Sequence, residues 1–244
     1  MKAKLLLFFV LLLAFLSFWE LKGGFLEHIL PSPSRILVAF AGNANQILTQ
    51  ALITCYEIIL GILIGSLLGA LMGLSVHLNK TWRSFAMPLM VASQAIPVFA
   101  IAPLLVYWFG FGLGPRIAMA TLIVFFPLAM GFITGLARPL GSLQGVVDSY
   151  QTGPWKLLWA IRLPLAVPHI TQGLRVSIAT APIAVLVGEW IGGAQGLGWL
   201  MLHARARFET PKMMACLLVI CLIGGLFYIL AQILCRALDN HYTS

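Results

Sequence analysis

Six apolar runs of membrane length divide the sequence, and they leave little room for any soluble fold. They lie at about residues 5–19, 47–76, 85–109, 117–137, 171–193 and 213–235. About 20 apolar residues in a helix are enough to cross the roughly 30 Å hydrocarbon core of a bilayer. Only 9% of the residues are charged, whereas a soluble domain carries about 25%. We therefore predict an all-α polytopic membrane protein with about six transmembrane helices in one domain, residues 1–244.

The first run, LLLFFVLLLAFLSFW, also has the composition of a secretory signal peptide. Residues 20–24 lack a convincing small-x-small cleavage site, which favours a retained helix, and cleavage would leave five spans. Lys and Arg are somewhat more frequent on the side of the termini if both termini are placed inside. We therefore expect both termini, and the polar interval between the fourth and fifth runs, to be cytoplasmic.

That polar interval, about residues 138–170, contains a predicted amphipathic helix. Gly153 and Pro154 form a helix start, because proline in the first turn needs no amide partner. Trp155, Leu158, Trp159 and Arg162 then fall near one face, and Pro164 is expected to end the helix. Exposed tryptophans on a short helix at the membrane surface indicate a docking element. The alternative is an amphipathic connector that lies among the lipid headgroups.

Two further patterns within the runs concern helix shape. The second run has glycines at a strict four-residue spacing, which predicts a smooth face for close packing by another helix; they are Gly61, Gly65, Gly69 and Gly73. The third run contains three prolines, which predict kinks or a broken helix.

Glu57 and Glu189 are the carboxylates within the predicted spans. An ionisable group at membrane depth is costly and indicates a transport pathway, a gate or an internal ion pair. The alternative is that each caps a helix or bonds a neighbour near the interface. Gln94, close to Pro97 in the third run, is a further candidate for a pathway or gate, and a satisfied bond between helices explains it equally well.

Other kinds of site lack support in the sequence. The basic residues are scattered singly, so the net charge of +8 does not indicate nucleic-acid binding. The five His residues are dispersed and the four Cys residues lie inside apolar runs, so we predict no metal site and no disulfide framework. The sequence contains no G-x-x-x-x-G-K-[ST] motif, so we expect no catalytic residues and no ATP hydrolysis by this chain alone.

The sequence resembles the permease subunit of a binding-protein-dependent ABC importer, within the nitrate/sulfonate/taurine group, over nearly its whole length. LPSPS (30–34), SQAIPVFAIAPLLVYWFGFG (93–112) and GEWIGGAQGLG (188–198) carry the resemblance. Such permeases have a cytoplasmic E-A-A, three residues, G, nine residues, I-x-L-P motif that docks on the ATPase. The I-x-L-P half is intact at Ile161, Arg162, Leu163 and Pro164. The glycine position falls on Gln151, and the E-A-A half is absent.

The resemblance implies a type I ABC importer fold, a homodimer, two copies of a cytoplasmic ABC ATPase and an external substrate-binding protein. It implies no cofactor on this chain, with ATP and Mg held by the ATPase. The sequence segments that carry the resemblance are most similar to those of the subgroup that imports hydroxymethylpyrimidine, a thiamine precursor. A riboflavin subgroup is the second most similar. Other solutes of the group are sulfonates, taurine and nitrate. Two other hypotheses are an ion-coupled carrier that uses Glu57 and Glu189, and a membrane scaffold whose tryptophans bind a cytosolic partner.

Overall fold

The computed structural model describes residues 14, 17–21, 29–141, 145, 147 and 153–243, and it contains no strand in this part of the chain. Nine α-helices are described over their whole length, with a π turn at Leu158–Arg162 between the sixth and the seventh. They are α1 (Pro33–Gly42), α2 (Ala44–Leu78), α3 (Lys80–Ser93), α4 (Val98–Phe109), α5 (Leu113–Leu136), α6 (Pro154–Leu157), α7 (Leu163–Gly192), α8 (Leu197–Ala206) and α9 (Thr210–Thr243).

Four helical stretches of the described chain are long and apolar enough to cross a membrane. They are Ala44–Leu78, Leu113–Leu136, Pro154–Gly192 and Thr210–Tyr242. The pair α3 and α4 counts as a fifth if it forms one broken span. The all-helical polytopic class is thereby confirmed. The first predicted run lies mostly outside the described residues.

The third predicted span is broken, as its prolines indicated. Helix α3 ends at Ser93 and α4 begins at Val98, with a bend of 101° between them. Pro97 has an extended backbone and directly precedes α4, where its missing N–H costs no helical bond. Pro88 and Pro103 lie inside the two helices. Gln94 and Pro97 are exposed at the bend.

Helix α5 lies between α2 and α7 and packs against both. Their shared core includes Ile58 of α2, Val124 of α5 and Val185 of α7, each fully buried. Large apolar side chains on the outer face of α2, such as Leu63 and Leu67, are exposed. This distribution is typical of a membrane protein, where lipid covers the outer leucines and small residues allow helices to meet.

The predicted glycine face of α2 lies against α5. A Cβ added at Gly61 would collide with the Ala120 side chain, and one added at Gly65 would come within 2.8 Å of Val124. At Gly69 it would lie 2.9 Å from the carbonyl oxygen of Phe125, while Gly73 faces the side chain of Phe132. The stripe therefore allows α2 and α5 to pack along four turns with backbone close to backbone.

A second close crossing joins α5 to α7, and the sequence analysis did not identify it. A Cβ on Gly131 would lie 2.7 Å from the carbonyl oxygen of His169, and one on Gly173 would lie 2.5 Å from that of Pro127. Each glycine thus faces the backbone of the other helix. Because a backbone carbonyl cannot rotate away as a side chain can, this crossing depends on the missing side chains.

Substitution of Gly173 by Ala is expected to destabilise the fold by about 1–3 kcal/mol, the usual range for overpacking. The matched control is Gly225→Ala in α9, where an added Cβ meets nothing within 4 Å. That control should be neutral or slightly stabilising, because alanine favours helix more than glycine does. Thermal unfolding of the two variants in the same detergent measures the difference. Equal melting temperatures would contradict the crossing.

Helix α6 begins after the extended Gly153, with Pro154 in its first turn, which confirms the predicted start. The predicted end at Pro164 was wrong, because the helix continues without interruption to Gly192. In a regular α-helix the proline ring would clash with the carbonyl group four residues earlier. Here the wider π turn precedes it, and the Leu163 N–H donates to the Leu158 carbonyl oxygen, five residues back. This turn accommodates Pro164 inside one 39-residue helical stretch.

Candidate functional site

A buried polar cluster lies where α2 and α5 begin and α7 ends, at the end of the helices away from the π turn. We call it the polar junction. It consists of the side chains of Gln50, Thr54, Glu57, Arg116 and Glu189 together with the backbone of residues 195–198. Its charged side chains are shielded from solvent, with Glu57 and Glu189 at 0% and Arg116 at 5% exposure.

Arg116 joins three segments of the chain at this junction. Its Nη1 forms an ion pair with Glu57 of α2 and donates to the Gln195 carbonyl oxygen at 3.3 Å. Its Nε donates to the carbonyl oxygen of Gly112 at 2.7 Å. A buried guanidinium is tolerated when its donors are satisfied and its charge is compensated. Arg116 therefore connects α2, the start of α5 and the segment after α7.

Glu189 caps helix α8 from the end of α7. Its Oε2 accepts from the Gly198 N–H at 2.5 Å, and its Oε1 accepts from the Thr54 hydroxyl at 2.6 Å. A carboxylate at a helix N-terminus satisfies free amides and is favoured by the helix dipole. Capping was one of the alternatives for this residue.

The cap covers three successive amides. Gln50 Oε1 accepts from the Gly196 N–H at 2.5 Å, and Thr54 Oγ1 accepts from the Leu197 N–H at 2.9 Å. Gly196 has φ +102°, and a side chain there would collide with the Glu189 carboxyl group. Glycine is thus required both by the backbone conformation and by the space. Side chains of α2 and α7 together attach the start of α8 to the helix core.

The four candidate pathway residues fall into two separate places. Glu57 and Glu189 lie in the polar junction, while Gln94 and Pro97 lie at the exposed bend between α3 and α4. Arg116, Thr54 and Gln50 were not among the site residues predicted from the sequence. One pattern in the sequence could have identified Arg116: a single arginine beside one apolar run can compensate the charge of a carboxylate inside another run. The pathway role of all four candidates remains a prediction.

Substitution of Thr54 by Val is expected to destabilise the fold by about 1–3 kcal/mol. The variant keeps the shape of the side chain but leaves the Leu197 N–H without its acceptor and removes a donor to Glu189, and buried groups without partners carry that cost. Thr49→Val is the control, since Thr49 is exposed and bonds only within its own helix. Thermal unfolding measures both. A Thr54→Val variant as stable as the control would exclude this cap.

The segment at the other end of α7 presents tryptophans to the outside. Trp155 and Trp159 are 62% and 57% exposed, whereas Leu158 is 2% exposed. Leu158 packs against Leu136 of α5 and Ala166 of α7. The predicted grouping of Leu158 with the tryptophans was therefore wrong, because the helix turns this residue inward as an anchor.

A hydrogen bond gives this segment a second attachment to α5. The Arg162 side chain donates to the Leu136 carbonyl oxygen at 3.0 Å. Gly153, Pro154 and Lys156 are exposed, and Ile161, Leu163 and Pro164 are half-buried. Gln151 lies outside the described residues.

A polar connection between α7 and α9 lies near the same end. Arg175 donates to the Asp239 carboxylate at 2.5 Å, and the Thr171 hydroxyl donates to its other oxygen at 2.6 Å. The two charged side chains are about three-quarters buried. In the described part of the chain, no three His, Cys, Asp or Glu side chains are placed to share a metal ion.

Residues 61–244 match the family described as binding-protein-dependent transport system inner membrane component. A probable ABC transporter permease of Haemophilus influenzae is 37% identical over 93% of this chain and 94% of its own length. The riboflavin transport permease RibX of Chloroflexus aurantiacus is 36% identical over 94% and 87%. The formylaminopyrimidine transport permease ThiX of Halalkalibacterium halodurans is 29% identical over 89% and 87%.

A solved structure has a similar fold over most of this chain. It is an inward-facing form of the methionine ABC transporter MetNI, with a TM-score of 0.69 over 79% of this chain and 96% of that chain. The sequences are 15% identical, so the likeness concerns the fold. It confirms the predicted transmembrane fold of a type I ABC importer.

Proposed function

The chain belongs to the family of binding-protein-dependent transport system inner membrane components, and we propose that it imports a pyrimidine of the thiamine-precursor type. Proteins of this family are permease subunits of ABC importers, and the ATPase is a separate subunit. Two copies of the chain would form the pore. Two copies of the ATPase would dock from the cytoplasm, and an external binding protein would deliver the solute. Both termini would then be cytoplasmic.

The observation that carries the docking role is the pair of exposed tryptophans on an anchored helix. Leu158 and the Arg162 hydrogen bond attach the segment to α5 and α7, and Trp155 and Trp159 are left free. Aromatic anchors of this kind dominate many protein interfaces. The surface fits a partner that must transmit force, because its attachment to the core is firm.

Continuity of the helix supports a mechanism. One helical stretch runs from Pro154 beside the docking surface to Gly192 at the polar junction. The 34 residues from Trp155 to Glu189 correspond to about 50 Å along a helix. Closure of the ATPase pair on ATP would move the docking surface, and this helix would carry the displacement to the cap of α8. The docking surface and the cap of α8 would then change conformation together, as parts of one equilibrium between two states.

The proposal of a pyrimidine solute rests on the similarity of the quoted sequence segments to those of the pyrimidine subgroup and on two relatives. Riboflavin and formylaminopyrimidine, named for RibX and ThiX, both contain a planar nitrogen heteroaromatic ring. Other relatives are named for aliphatic sulfonates and taurine, at lower identity. Uptake of a labelled aminopyrimidine by cells with and without this permease tests the choice. Uptake of riboflavin or taurine in its place would transfer the proposal to that solute.

Purification from the native membrane tests the assembly. The chain is solubilised in mild detergent and every co-purifying protein is identified and counted. A stoichiometric partner that carries a phosphate-binding loop and hydrolyses ATP is expected. A chain that emerges alone, even after crosslinking at Trp155, would refute the proposed assembly.

An ion-coupled carrier is the second candidate, and the buried carboxyl groups of Glu57 and Glu189 are the observation that favours it. Such a carrier would take up solute along an ion gradient after loss of the ATPase. Uptake that stops when the ATPase gene is deleted excludes it.

A further inference from the structure

Glu57 and Glu189 belong to one buried cluster, because Thr54, one turn before Glu57 on α2, donates its hydroxyl to the Glu189 carboxylate at 2.6 Å. Both side chains are 0% exposed. Two ionised carboxylates cannot hydrogen bond, because neither has a proton to donate. The Oε2 atom of Glu57 is fully buried and has no hydrogen-bond partner among the described residues. A proton on this oxygen would make it a donor toward the Glu189 carboxylate of the same cluster.

The charge count of the junction leads to the same result. Among the described residues, Arg116 is the cation that bonds to the polar junction. Two carboxylates and one guanidinium would leave one uncompensated negative charge inside an apolar protein. Such a charge is strongly disfavoured at membrane depth, and nearby carboxyl groups commonly avoid it by holding one proton between them. One bound proton makes the junction neutral.

We propose that Glu57 and Glu189 form a proton-binding site that holds one proton at neutral pH. The hydrogen bonds assign its position. Both oxygens of Glu189 already accept, from Thr54 and from the Gly198 N–H, so Glu189 is the ionised member. Glu57 accepts from Arg116 through Oε1, and its Oε2 carries the proton and donates it to Glu189.

The bound proton has a structural consequence at the outer end of α7. It allows Glu189 to remain ionised and cap α8 while Glu57 stays beside it without repulsion. Loss of the proton would place two negative charges in contact and weaken the attachment of residues 195–198 to the helix core. The site therefore couples proton occupancy to the closed arrangement of this loop, whichever solute the permease carries.

Infrared spectroscopy of the purified permease–ATPase complex in lipid nanodiscs tests the proposal. At neutral pH the native complex is expected to show the carbonyl stretching band of a buried protonated carboxyl group, shifted by transfer to deuterated water. Glu57→Gln should remove the band, and it preserves the junction because an amide can donate to Glu189 and accept from Arg116. Glu20→Gln, at an exposed carboxyl group, is the control and should leave the band unchanged.

Glu189→Gln provides an independent variant, so the test does not depend on the folding of one protein. With one carboxyl group left beside Arg116, no proton is needed, and the band should again be lost. Absence of the band from the native complex, or its persistence in a folded Glu57→Gln or Glu189→Gln variant, would overturn the proposal. The spectrum is read without transport, so either result leaves the importer assignment to its own experiments.

Discussion

Substitution of Arg116 by Met is expected to destabilise the protein by about 3–5 kcal/mol, the usual cost of removing one partner of a buried ion pair. The variant loses the cation that pairs with Glu57 and the bonds to the carbonyl oxygens of Gly112 and Gln195. The junction then contains two carboxyl groups and no compensating charge. The expected result is a large fall in the yield of folded, monodisperse protein and in its melting temperature.

Arg205→Met is the control, since Arg205 is exposed on α8 and should cost little. Addition of Glu57→Met to the Arg116→Met variant should recover more than half of the lost stability. A single carboxyl group remains in that double variant, and it can be neutralised by one proton. A double-mutant cycle measured by thermal unfolding separates this coupling from the loss of packing. The prediction fails if Arg116→Met is no less stable than Arg205→Met.

The membrane-spanning helices could be predicted from sequence because their signal is local. Each apolar run is long enough to identify a span without knowledge of its neighbours, and the prolines near residues 88–103 indicated the break between α3 and α4. The spacing of the α2 glycines likewise identifies a packing face before its partner is known. The spacing could not reveal that α5 is that partner, because no pattern in α2 refers to Ala120 or Val124.

The polar junction was largely hidden for the same reason. Arg116 follows a turn at the start of an apolar run, so it resembles a loop charge on the outer side. Its partner Glu57 is 59 residues away, and the cap of α8 brings Thr54 to Leu197 across 143 residues. Only the packing of α2, α5 and α7 brings these groups together. The continuation of the helical stretch from α6 through Pro164 into α7 was also unpredictable, because the π turn that permits it is a departure from regular helix geometry.

The double variant Trp155→Ala with Ile161→Asp is expected to abolish solute uptake while the helices remain folded. Trp155 is exposed, so its truncation removes an aromatic side chain of the proposed docking surface without opening the core. Truncation of such an anchor costs about 2–4 kcal/mol of binding, or roughly 30-fold to 1000-fold in affinity. The aspartate adds a charge to the half-buried edge of the same surface. The ATPase should then dissociate or hydrolyse ATP without transport.

Two controls separate docking from folding. Trp108→Ala removes an equally exposed tryptophan, 64% accessible, from α4, and should leave uptake unchanged. Leu158→Ala removes the buried anchor of the docking segment, so it should lower the melting temperature by the equivalent of about 2–5 kcal/mol, whereas the double variant should not. Uptake and co-purification of the ATPase are measured in parallel with membrane expression. Normal uptake by a well-expressed double variant would exclude this surface as the docking site, because an importer driven by ATP hydrolysis needs contact with its ATPase.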